Sequence, residues 1–146
     1  MEAKGLLVGG VLPAVMFGLA GLMQKMTTRT GVGLGPYLLC IGVGVLVMGA
    51  VLTMGATGPA RAITGKGALM SGALGIFWAL GTWFVAVGLS HYAAPLAKLV
   101  PLYNMNTLIV VVLALIVFAE FRDVAVTKLV AGAALIVVGG TLVANA

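Results

Sequence analysis

The stretch APLAKLVPLYNMNTLIVVVLALIVFA, Ala94 to Ala119, decides the fold. It carries one charge, Lys98, in a run long enough to cross a bilayer, which takes about 20 mostly apolar residues. Four more such runs complete the chain, so the segments expected to span are about 5–27, 34–57, 67–90, 94–119 and 124–144. Each span must satisfy its own backbone hydrogen bonds in hydrocarbon, which leaves helices or closed barrels. The runs are far too long for barrel strands. The expected fold is an all-α integral membrane protein, a single domain of five transmembrane helices over residues 1–146.

Composition agrees. Of 146 residues, 62% are hydrophobic and 8% charged, against roughly 25% charged in a soluble domain. So little charge does not cover a water-soluble fold. The +5 net charge comes from basic residues placed singly between apolar runs. That placement suits topology control and anionic lipid headgroups, not nucleic acid. Lys4, Arg61, Lys66, Arg122 and Lys128 fall on the N-terminal side of a five-span chain, and Lys25, Arg29 and Lys98 on the other. The bias places the N-terminus in the cytoplasm, in a multi-pass inner-membrane protein. The first apolar run exceeds a signal-peptide core and lacks an Ala-x-Ala site, so it reads as a retained helix.

Chemistry-bearing residues are few. Cys40 is the only cysteine and His91 the only histidine. Neither a disulfide nor a zinc site has enough partners, and no metal or cofactor is expected. No nucleophile elbow or phosphate loop occurs, so the chain does not read as an enzyme. The carboxylates Glu2, Glu120 and Asp123 all sit at helix ends, which argues against a buried proton relay.

Polar groups inside a span are costly and need a reason. The candidates are Gln24, Lys25, Ser71, Thr82, His91, Lys98, Tyr103, Asn104, Asn106 and Thr107. On a continuous fourth helix with Lys98 at zero, Asn106 falls near 80°, Tyr103 near 140° and Thr107 near 180°. An ammonium, an amide and a phenol then share one half of the wheel, and Asn104 lies outside it. Such groups suit a solute pathway, although Lys98 could also snorkel to the headgroups and the amide could bond a neighbouring helix. Pro95 and Pro101 flank Lys98 and are expected to kink the helix as a hinge. On the third helix, Ser71, Gly75, Trp78 and Thr82 form a small polar face with one tryptophan for stacking. Phe77, Phe84 and His91 lie opposite and read as packing or lipid contacts. Glu120, Arg122, Asp123 and Lys128 read as a solvated charge network. Gly5-xxx-Gly9, Gly31-xxx-Gly35 and Ser71-xxx-Gly75 have the spacing for close helix packing.

From about Gly67 onward, the segment around Trp78, the run AVGLSHYAAPLAKLVPLYN, the Ala-Glu-Phe at 119–121 and the glycines 132, 139 and 140 resemble an EamA domain of the drug/metabolite transporter superfamily. Ala93, Ala94, Ala97, Pro101 and Glu120 match its small-residue start, proline and terminal glutamate. Residues 1–66 match more loosely. The resemblance implies half of a two-fold inverted transporter, which a second copy completes as a homodimer. The first helix has no glutamate between Gly5 and Met23, a departure from the four-helix cation exporters of that superfamily. The functional expectation is a transporter moving a small polar metabolite, anionic charge being favoured, by alternating access. Its substrate contacts are Trp78, Lys98, Tyr103 and Asn106, its hinges Pro95 and Pro101, and its secondary candidates Ser71, Thr82, His91 and Glu120. Alternatives are a lipid-linked sugar flippase subunit, with Arg61 and Lys66 on headgroups, and a non-transporting membrane scaffold.

Overall fold

The computed structural model describes residues 2–119 and 124–146, and all its regular structure there is helical. Five helices are long and apolar enough to cross a membrane: α1 Lys4–Thr28, α2 Leu34–Gly55, α3 Gly65–Ser90, α4 Leu96–Val117 and α5 Val126–Ala144. Five such helices were expected, and the ends of these lie within a few residues of the expected ones. The chain divides into two compact units, Met1–Tyr92 and Ala93–Ala146. The first holds α1–α3 and the second is the hairpin of α4 and α5.

Local chemistry sets the helix ends. Residues Leu7–Val11 of α1 form a π-helical turn in which the Leu12 N–H reaches Leu7 O. Pro13, just beyond, has no N–H and its ring crowds the carbonyl four residues back. Widening one turn is how a helix absorbs that mismatch. Gly31, at φ +77°, takes the left-handed conformation that turns the chain from α1 into α2. Arg61 closes α2 by donating its Nε–H to Thr53 O at 3.1 Å, a basic side chain meeting the negative end of a helix. Thr64 opens α3, its hydroxyl accepting the Gly67 N–H at 3.1 Å, an ordinary N-cap. Between α3 and α4 the turn passes through Ala93 at φ +50°, a conformation that a β-carbon disfavours.

Inside the spans, hydroxyls bond their own helix. Thr53 Oγ1 donates to Gly49 O at 2.8 Å and Ser90 Oγ to Ala86 O at 2.7 Å. Each hydroxyl is thereby satisfied within its own helix, without a neighbour.

In the first unit α3 packs on α1 and on α2; in the second, both halves of α4 pack on α5. The described residues that are buried are Gly21, Tyr37, Ala86, Leu89, Ala133 and Gly140. Four of these six are glycine or alanine. Helices in lipid gain nothing from hiding apolar surface from water, so they associate where small residues let backbones approach. Glycine spacing nevertheless misplaced those approaches. A β-carbon added at Gly5, Gly9, Gly35 or Gly75 would meet nothing within 4 Å, and Ser71 is exposed. The close approach falls instead at Gly140, where an added β-carbon would lie 3.0 Å from Pro101 O. Spacing shows which helix faces are smooth but not which neighbour meets them.

Candidate functional site

The fourth span is two helices, not one. Its first half is Leu96–Tyr103 and its second Asn106–Val117. Asn104 and Met105 form the turn between them, near the middle of the 22-residue span. Through the break the bonds shorten to three-residue steps. Met105 N–H reaches Leu102 O at 3.1 Å, Thr107 N–H reaches Asn104 O at 3.0 Å, and Leu108 N–H reaches Met105 O at 3.1 Å. The Pro101 carbonyl is left facing Gly140 of α5. Proline removes one rung of the ladder, and the two amides that follow favour turns over helix.

The continuous wheel drawn from the sequence therefore does not hold across Asn104. Thr107 faces α5, in a groove with Val111 and Gly132. Asn104 and Asn106 are exposed, as is Tyr103 at 39%, whereas Lys98 is half-buried. Among the described residues no side-chain hydrogen bond is made by Lys98, Tyr103, Asn104 or Asn106. An amide, a phenol and a second amide thus stand around an irregular backbone segment, without side-chain hydrogen bonds among the described residues. The prolines differ in role. Pro101 lies within the first half of α4, but Pro95 is its N-cap. There the Pro95 carbonyl accepts from Lys98 N at 3.0 Å and Leu99 N at 3.1 Å, so this proline starts the helix and does not bend it.

The remaining candidates belong to the first unit or to its edge. Trp78 is 49% exposed on α3, with Ser71 also exposed and Thr82 half-buried. His91 is the exposed C-cap of α3, its N–H on Val87 O at 2.9 Å. Phe77 and Phe84 are exposed, and Phe84 meets Trp83 edge-on with centroids 5.0 Å apart. Lys128 is exposed near the start of α5. Glu120, and with it Arg122 and Asp123, lies outside the described residues.

A second polar cluster joins the three helices of the first unit. Gln24 Nε2 donates to Thr82 O at 3.1 Å, linking α1 to α3. The same side chain sits close enough to the Tyr37 hydroxyl of α2 to interact with it, and Tyr37 is only 5% exposed. Gln24 stood out in the sequence as a polar residue within a span. Tyr37 did not, although a tyrosine one turn inside a helix entrance has the amphipathic character for such a position.

Fold and site together define a class: an all-helical chain with five helices long and apolar enough to cross a membrane, one of them broken near its centre beside exposed polar groups. No family model, no curated protein and no solved structure matches the chain.

Proposed function

We propose that the chain is a transporter of the inner membrane. It moves a small polar metabolite, anionic charge being favoured, by alternating access between two copies of the chain. One observation carries this reading. The break leaves Tyr103, Asn104 and Asn106 near the middle of a helix long and apolar enough to cross a membrane, exposed and without side-chain hydrogen bonds among the described residues. Amides facing lipid tails at that depth are strongly disfavoured. Irregular backbone is tolerated there only where protein or a water-filled cavity meets it. A wet pathway visited by a polar solute supplies both. Discontinuous spans whose half-helix ends point at the substrate recur at the centre of secondary transporters.

The roles follow from chemistry. Asn106 and Tyr103 bond the solute. The Lys98 ammonium, about half a turn inside the start of α4, attracts a carboxylate or phosphate. Trp78 offers an aromatic face for stacking. Pro101 keeps α4 divided, so its two halves tilt separately during the access change, while Pro95 sets where the helix begins. The likeness of the segment from Gly67 onward to an EamA domain agrees with this reading.

Purified chain in liposomes tests it. A panel of radiolabelled carboxylates and phosphate esters is offered, and flux is measured for wild type, Lys98→Ala and Asn106→Ala at matched incorporation. Each variant is expected to lose about tenfold in flux, the effect of one charged or buried hydrogen bond. Wild-type flux in both variants would remove the site. Failure of any panel member to cross would remove the substrate class.

A further inference from the structure

The hairpin of α4 and α5 carries a feature that the transport reading does not use. Thr107 and Val111 on α4, with Lys128, Leu129, Gly132, Ala133 and Ile136 on α5, line an open groove of about 270 Å³ whose surface is almost wholly apolar. Its α5 residues recur at steps of three and four, so they occupy one stripe of that helix. Small residues, Gly132 and Ala133, form the floor, and Ala133 is buried.

We propose that this groove binds one acyl chain of an anionic phospholipid, with the Lys128 ammonium on its phosphate. Length supports the fit. From Lys128 to Ile136 is eight residues, about 12 Å along a helix. The hydrocarbon of one leaflet is about 15 Å deep, half of a roughly 30 Å core. With α5 spanning a bilayer from its first turn, a groove of that length reaches from the surface almost to the midplane, the course of a lipid tail. Charge supports it as well. Lys128 is the third residue of α5, and among the described residues no carboxylate lines the groove. A solute-binding pocket would need polar groups along its walls, whereas here the single charge is at the mouth. The basic side of the chain, which includes Lys128, faces the cytoplasm by the charge bias, where anionic lipids are held. The inference stands independently of the transport reading.

Native mass spectrometry of the full chain in detergent, titrated with phosphatidylglycerol or phosphatidylcholine of identical chains, tests it. Wild type is expected to retain one phosphatidylglycerol with about fivefold preference over phosphatidylcholine, the contribution of one basic residue near the surface. Lys128→Ala abolishes the preference and Lys128→Arg keeps it. Ala133→Leu, which fills the floor, removes retention of both lipids. Should that variant fail to fold, Val111→Phe closes the groove from the α4 side, where Val111 is half-buried. Equal retention of the two lipids by wild type overturns the proposal, and so does unchanged preference in Lys128→Ala. Retention that survives both groove-filling variants overturns it too, as does a dimer whose formation displaces the lipid and is itself lost in Ala133→Leu, which would show a second copy in the groove.

Discussion

Gly139 and Gly140 are adjacent in sequence and differ in every structural respect that matters. A β-carbon at Gly140 would meet the Pro101 carbonyl at 3.0 Å and Met105 Cγ at 3.6 Å, while one at Gly139 would meet nothing within 4 Å. The methionine can swing aside, but the carbonyl belongs to backbone. Gly140→Ala should therefore lower stability by about 1–3 kcal/mol, the range for overfilling a packed contact. Gly139→Ala should change it by less than about 1 kcal/mol. Thermal unfolding in detergent, followed by circular dichroism, separates the two, and equal shifts would show that the α4–α5 approach is looser than drawn. Gln24 makes the second residue-scale case. Replacing it with leucine removes the 3.1 Å bond to Thr82 O and takes the amide away from Tyr37. Interhelical hydrogen bonds in membranes contribute about 0.6–2 kcal/mol, so Gln24→Leu should destabilise the first unit by about 1 kcal/mol. An unaltered unfolding curve in a denaturing detergent titration would count against that link.

Among the elements, α4 bears the most consequence. Its sequence carries a proline, two asparagines and a tyrosine within six positions, and both prolines were legible as helix-modifying. Where the helix yields was not. A kink is expected on the N-terminal side of a proline, whose ring crowds the carbonyl four residues earlier. The break lies on the other side of Pro101, at Asn104 and Met105. Turn-favouring amides, and an α5 that lets its backbone come close at Gly140, decide this together. Pro101→Ala restores the missing N–H and removes the ring. Amide hydrogen exchange at residues 104–107 should then slow by at least about tenfold as the ladder closes, and flux should fall while membrane insertion persists. Unchanged exchange would mean that the asparagines alone hold the break. The π-turn in α1 is a milder instance of the same physics, absorbed by Gly9, Gly10 and the residues around them.

For the whole molecule, orientation follows from where charge is scarce. Five basic residues on the N-terminal side against three on the other predict a cytoplasmic N-terminus. In a Cys40→Ser background, Thr64→Cys should react with an impermeant maleimide only from the cytoplasmic side, and Thr30→Cys only from the opposite side. Both sites reacting from both sides would reveal two orientations of the chain, which an antiparallel pair of copies requires.

What the sequence determined by itself is the number of apolar helices, their approximate ends and the short list of polar residues within them. Hydropathy summed over a window of about 20 residues, and the need of a chain in lipid to bond its own backbone, are one-dimensional constraints. They are readable without knowing which helix meets which. Tertiary structure alone decided the rest: the link from Gln24 to Thr82, the approach of Gly140 to the Pro101 carbonyl, the turn of Thr107 toward α5 while Asn106 stays exposed, and the groove that ends at Lys128. Each of these joins residues far apart in the chain. In a medium where hiding apolar surface gives no preference among neighbours, only the fit of particular small and polar side chains selects the pairing.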